Sequence, residues 1–133
     1  VGTATSTVGR CRRTWSTSAS VGGYIGAMYQ HDNNQQKGQL TATFRIEIKQ
    51  PGLYEVRMSY TPNPNRATNV PVTIDHSPGV ARAIINQRKP PEIDKTFTSL
   101  GKYEFESRAT VTISNANTDG YVVIDAVQLL PIK

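Results

Sequence analysis

An all-β chain, folded as one antiparallel β-sandwich of the jelly-roll, galactose-binding-like kind, is predicted by three features of the sequence. Val, Ile and Thr total 36 of 133 residues while Leu and Met total 7, and β-branched side chains suit the pleated surface of a sheet better than the crowded turn of a helix. Apolar and polar residues alternate over several short runs, the period of a strand buried on one side. Pro, Gly, Asn and Asp separate those runs, with no helical run between them, the spacing expected of an antiparallel sandwich.

The stretch to about residue 20 is rich in Thr, Ser, Gly and Arg and has no sustained period, so residues 1–14 read as a linker or N-terminal extension, or as a first edge strand. The module proper is expected over 15–133, with Trp15 its first structural side chain. From Leu40 the pattern sharpens: Ala42, Phe44, Ile46 and Ile48 alternate with Thr41, Thr43, Arg45, Glu47 and Lys49. Gln50-Pro51-Gly52 turns the chain, because Pro fixes φ and Gly tolerates either sign. Tyr54, Val56, Met58 and Tyr60 then point inward, with Glu55, Arg57 and Ser59 outward; the two runs together predict an antiparallel hairpin. Shorter strands are expected at Val70–Asp75, Val80–Asn86, Gly101–Glu106 and Thr110–Ser114. The last, Tyr121–Leu130, contains Val122-Val123-Ile124 with no polar alternate, as in a strand covered on both faces.

No apolar run approaches the roughly 18 to 20 residues needed to cross a bilayer, so no membrane partner is expected. The chain starts at Val1 without a charged-then-apolar leader and reads as a piece of a longer protein. Lone Cys11 forms neither an internal disulfide nor a thiolate metal cluster; flanked by Arg10, Arg12 and Arg13, it has no base assigned to it. A formal charge of +5 and a pI near 9.6 favour anionic partners, since exposed cations act over a Debye length of about 8 Å. The 15 basic residues are spread over several strands with no basic helix or stacking motif, so nucleic acid is not the expected partner. An acidic polysaccharide would use the same charge without a contiguous stripe.

Asp125 shares parity with Tyr121, Val123, Val127 and Leu129. An inward carboxylate there needs a cation or several donors; Arg66 is the candidate partner, and the structural role outweighs a catalytic one. Asn115-Ala116-Asn117-Thr118-Asp119-Gly120 matches the first half of a calcium loop, but position twelve falls on Ala126 instead of a bidentate Glu. A turn rich in local hydrogen bonds is the simpler reading, and neither metal nor cofactor is expected. Gly22-Gly23-Tyr24-Ile25-Gly26 lacks the glycine spacing of a dinucleotide turn. No Gly-x-Ser-x-Gly elbow exposes a nucleophile.

Residues 24–38 combine Tyr24 and Tyr29 with Gln30-His31-Asp32-Asn33-Asn34-Gln35-Gln36-Lys37. Sugars require that mixture, because their C–H faces pack on rings while their hydroxyls need paired donors and acceptors; an ordinary polar loop flanked by two core tyrosines would look the same. Thr61-Pro62-Asn63-Pro64-Asn65-Arg66-Ala67-Thr68-Asn69 shares that ambiguity, and its prolines lower the entropy lost on binding.

These segments resemble, from Trp15 to Pro131, the golvesin or xanthan-lyase carbohydrate-binding-like domain. The resemblance rests on Gly23-Tyr24-Ile25-Gly26, Tyr29 with His31-Asp32, Lys37-Gly38, Pro51-Gly52-Leu53-Tyr54-Glu55-Val56-Arg57, Asn65-Arg66-Ala67-Thr68-Asn69-Val70-Pro71-Val72, Ile85-Asn86-Gln87, Ser99-Leu100-Gly101 and the closing Gly120-Tyr121-Val122-Val123-Ile124-Asp125-Ala126-Val127. It implies a non-catalytic accessory module that binds a glycan and is covalently linked to a catalytic domain, in a bacterial, extracellular or periplasmic setting. The Asn-Arg-Ala-Thr-Asn-Val-Pro-Val form is most similar to the version appended to FAD-dependent oxidoreductases, which gives an alternative: a docking or assembly domain with no sugar ligand. On the glycan-binding reading Tyr24 and Tyr29 are ring platforms, and His31, Asp32 and Asn69 are hydroxyl partners. Arg66 is an anion contact or the partner of Asp125. The basic run before Trp15 departs from the family pattern and takes no family role.

Overall fold

The computed structural model describes residues 2–5, 16–18, 29–32, 34, 38, 40–76, 79–93 and 95–132. Among these there are eleven strands and no helix: β1 (Gly2–Thr5), β2 (Ser16–Ser18), β3 (Tyr29–His31), β4 (Thr41–Glu47), β5 (Gly52–Ser59), β6 (Val70–Asp75), β7 (Val80–Ile85), β8 (Phe97–Phe105), β9 (Arg108–Ser114), β10 (Val123–Ile124) and β11 (Ala126–Pro131). Two four-stranded antiparallel sheets, ordered β1-β11-β5-β8 and β4-β9-β6-β7, form the sandwich, and a small β10-β3-β2 sheet lies at one end. The expected fold class is therefore the observed one.

Alternation places the core. Ala42, Phe44, Val72, Ile74, Val111 and Ile113 from one sheet and Tyr54, Val56, Met58, Leu100, Val127 and Leu129 from the other are all buried. Each large apolar side chain removed from water contributes roughly 1.5–3 kcal/mol, so these two stripes supply the main drive for closing the layers. Residue Gly101 marks a register shift, Val56 facing Gly101 while Arg57 faces Ser99. Its φ of 113° and the Tyr103 hydroxyl, 2.7 Å from where a Cβ would sit, restrict this bulge to glycine.

The topology corrects two expectations. The runs Leu40–Lys49 and Tyr54–Tyr60 are not a hairpin: β4 pairs with β9 and β5 with β8 and β11, so Pro51-Gly52 carries the chain from one layer to the other. Alternation is the same for two strands side by side and for two strands facing across a core, which is why pattern alone could not separate them. The expected strand Tyr121–Leu130 is broken at Asp125. Val123 and Ile124 pair with β3, whereas Ala126–Pro131 pairs with β5 and β1. Val122 to Val127 are buried without interruption because the chain changes sheets there and is covered on both sides. Gly2–Thr5, in the stretch expected as a linker or a first edge strand, pair with β11 as an edge strand.

Candidate functional site

The chain segments that looked chemically rich in the sequence gather at the end of the sandwich where β3, β10 and the loops after β5, β7 and β9 meet. The crossing segment 121–126 cannot make a regular ladder, since it leaves one sheet for another, and its buried backbone groups still need partners. They find them as follows. Tyr121 N–H donates to Asn65 O (3.0 Å) and Tyr121 O accepts from Ala67 N–H (2.8 Å). Val122 N–H donates to Asp32 Oδ1 (3.0 Å) and Val122 O accepts from Asp32 N–H (3.2 Å). Val123 is held at both groups by Gln87, and Ala126 at both groups by the Ser59 hydroxyl. Gly120 precedes this run because a Cβ there would lie 2.6 Å from Arg66 O.

This bracing decides what the expected site residues do. Asp32 is buried at 3% exposure, and its carboxylate accepts from Asn34 N–H, Val122 N–H and Asn115 Nδ2. Those oxygens face protein donors in the interior. Asn69 is likewise engaged, donating to Asn117 O and accepting from Asp119 N–H, which pins the loop after β9. Arg66, also 3% exposed, donates to Thr61 O, Thr61 Oγ1 and Asn65 Oδ1. It stiffens the proline-rich loop from beneath. Asp125 is buried at the break between β10 and β11. Trp15, Tyr24 and Cys11 lie outside the described residues, and for Tyr29 the structure describes the backbone, paired with Ser18.

The calcium-like segment is a set of separate clasps. Asn115 Oδ1 accepts from Gly38 and Leu40 N–H, Asn117 adopts a left-handed backbone (φ 56°), and the Asp119 carboxylate accepts from Thr68 N–H and Oγ1. The Asn115 and Asp119 side chains, each bonded to a different part of the chain, do not converge as the oxygen cage of a hard cation does. The Thr68 bonds also hold the Asp119 carboxyl below its usual range, with Arg88 assisting.

What this frame presents to solvent is an aromatic and polar rim. The half-buried His31 and Tyr121 rings meet edge to face at 5.7 Å, in the range favoured for aromatic pairs. Burial lowers the His31 pKa and Arg66 lowers it further, against a smaller opposing effect of Asp32. A neutral imidazole offers one donor and one acceptor. Around the ring pair lie the exposed Asn65, Arg88 and Asp119 and the partly exposed Thr68. Tyr121 shares the parity of the buried Val123, yet it precedes the break at Asp125 and is only half-buried.

Comparison with known proteins places these features in context. The family model described as the golvesin C-terminal domain matches residues 2–131. The xanthan lyase of Bacillus sp. (strain GL1) is 36% identical over 124 residues, which cover 90% of this chain and 13% of that enzyme. The solved structure of a Paenibacillus xanthan lyase superposes with a TM-score of 0.86 at 35% identity, over 99% of this chain and 12% of the other. A Podospora anserina GH26-CBM35 β-(1,4)-mannanase shares the fold, with a TM-score of 0.65 at 18% identity over 99% of this chain and 28% of that one. The chain thus spans about an eighth of the length of the xanthan lyases it matches.

Proposed function

Because the chain belongs to the golvesin C-terminal domain family, we propose that it is a non-catalytic carbohydrate-binding accessory module that targets a linked catalytic domain to a glycan. The observation that carries the reading is the rim itself: the His31–Tyr121 ring pair, surrounded by exposed amide, carboxylate, hydroxyl and guanidinium groups on a frame whose own polar groups are engaged beneath it. A rigid surface with ring faces and directional donors pays little ordering entropy when a sugar docks. Weak affinity suffices, since tethering raises the local concentration of substrate around the linked domain. The relatives act, by their names, on xanthan, and an extracellular setting follows from the same reading. Tyr24 and Tyr29 are proposed as further ring platforms for the sugar.

The alternative of a docking domain calls for a contiguous apolar patch. Among the described residues the exposed large apolar side chains are Leu53, Val80 and Ile84, the first on β5 and the other two on β7 in the opposite sheet.

Affinity electrophoresis through gels containing xanthan or neutral polysaccharides tests the proposal. The wild-type domain should be retarded by at least one polymer. His31→Ala, Tyr121→Ala, Tyr24→Ala and Tyr29→Ala should lose retardation with melting temperature preserved. Free migration of the wild type in every gel would favour the docking domain.

A further inference from the structure

The outer face of the β4-β9-β6-β7 sheet carries a second surface, built on strands other than the one that bears His31 of the ring pair. Register alignment puts Thr43, Thr112 and Thr73 side by side across three strands and ends the row on Arg82. The adjacent row is Arg45, Thr110, Asp75 and Val80, and the next brings Glu47 opposite Arg108. Every one of these side chains is partly or fully exposed. Neighbouring strands lie about 5 Å apart, close to the rise of one hexose unit in an extended glycan, so a chain crossing the strands meets one hydroxyl per sugar.

At the β4–β9 end of this face an open depression of about 540 Å³ is lined by Arg45, Ile46, Glu47, Ser107 and Arg108. Glu47 and Arg108 are register partners, yet their side chains make no ion pair, and among the described residues Arg45, Arg82 and Arg108 have no hydrogen-bonded or ionic partner. Two unpaired guanidinium groups on the walls of one depression are arranged for a carboxylate, which a planar fork binds bidentately. Glu47 between them supplies an acceptor for a sugar hydroxyl. The chain's +5 charge adds attraction for a polyanion.

We infer that Arg45, Arg108 and Glu47 form a subsite for one acidic sugar of a carboxylate-bearing glycan, whose neighbouring units lie along the Thr43–Thr112–Thr73 row. The inference rests on the glycan-binding reading and assigns it a ligand class and a second contact surface.

The test is affinity electrophoresis in xanthan and in the same polymer after chemical reduction of its carboxyl groups to alcohols, with wild type, Arg45→Gln/Arg108→Gln and His31→Ala/Tyr121→Ala. Wild-type affinity should fall about tenfold or more on carboxyl reduction, as expected for loss of charge-assisted hydrogen bonds. The double-arginine variant should bind both polymers as weakly as wild type binds the reduced one, at an unchanged melting temperature. Equal wild-type affinity for the two polymers, or an arginine variant as tight as wild type, overturns the acidic subsite and leaves the module reading intact. Binding to neutral polymers alone does the same, whereas failure of the wild type on every polymer overturns both.

Discussion

Gln87 clasps Val123 at both of its backbone groups: Val123 N–H donates to Oε1 at 2.8 Å, and Nε2 donates to Val123 O at 2.9 Å. The side chain, fully buried, does for the crossing segment what a neighbouring strand would otherwise do. Its own N–H is bonded to Ala67 O, which ties the loop after β7 to the loop after β5 and to β10 at once.

Gln87→Leu, similar in size and without polar atoms, leaves one buried donor and one buried acceptor on Val123 unsatisfied. It should cost about 2–4 kcal/mol of unfolding free energy in urea titrations. Gln87→Glu is the sharper variant, because a carboxylate opposes its second oxygen to Val123 O, while the protonated acid can donate there. Its pKa is thereby raised in the fold, so its native contacts are present at low pH and lost as pH rises through the folded value. The deficit against wild type should shrink from pH 7 to pH 4; a deficit that is constant or grows on acidification would contradict the clasp.

Asp32 and Asn115 form a pair whose roles can be exchanged on paper. Asp32 Oδ2 accepts from Asn115 Nδ2 at 3.1 Å, and the remaining oxygen of each side chain accepts two backbone N–H groups. Asp32→Asn sets two amide donors against each other, and Asn115→Asp sets two carboxylates together. Each should cost about 1–3 kcal/mol. The swap Asp32→Asn/Asn115→Asp restores one donor facing one acceptor while keeping the four N–H bonds, so the double variant should be more stable than the sum of its parts by at least about 1 kcal/mol. Additivity would mean that the two side chains act independently.

The sandwich was legible because alternation survives in β4, β5, β6 and β9 whatever strands they pair with. Pairing was not, since Phe44 and Val56 read alike whether they are neighbours or face each other across the core. The rim was half legible. The segments that build it stood out by composition, but His31 and Asp32, adjacent in sequence, point to different environments, and nothing local tells which carboxylate is turned inward to hold a loop. Gln87 and Asn115 carry no sequence signal for burial, since their partners are backbone groups 36 and 75 residues away.

Tyr60 gives the fold a measurable alkaline limit. Its hydroxyl donates to Lys89 O at 2.6 Å in a buried setting, and burial, with Glu92 adding to it, pushes its pKa from 10.0 up to about 12. The neutral phenol is thus favoured in the folded state: its contribution is complete below pH 10.0 and is lost as pH climbs through about 12. Two units correspond to about 3 kcal/mol at the end of that window. Tyr60→Phe should be less stable at pH 8 by about 1–2 kcal/mol through the unsatisfied Lys89 carbonyl, yet lose less between pH 9 and pH 12. Parallel stability curves for the two proteins over that range would show that Tyr60 does not set the limit.

Gly120 links packing to the rim. Arg66 and Tyr121 form a parallel bridge close enough that a Cβ on Gly120 would lie within 3 Å of three backbone atoms, Arg66 O, Arg66 C and Ala67 N. Backbone cannot rotate aside as a flexible side chain can, so Gly120→Ala must separate the two segments and strain the bonds from Tyr121 N–H to Asn65 O and from Ala67 N–H to Tyr121 O. The expected cost is about 3 kcal/mol, read from urea midpoints. Tyr121 moves with its backbone and its edge contact with His31 is lost, so the His31 imidazole resonances should shift in a proton–carbon NMR spectrum of whatever fraction remains folded. A Gly120→Ala protein with wild-type stability and unshifted His31 signals would show that the bridge tolerates a side chain and that the ring pair does not depend on it.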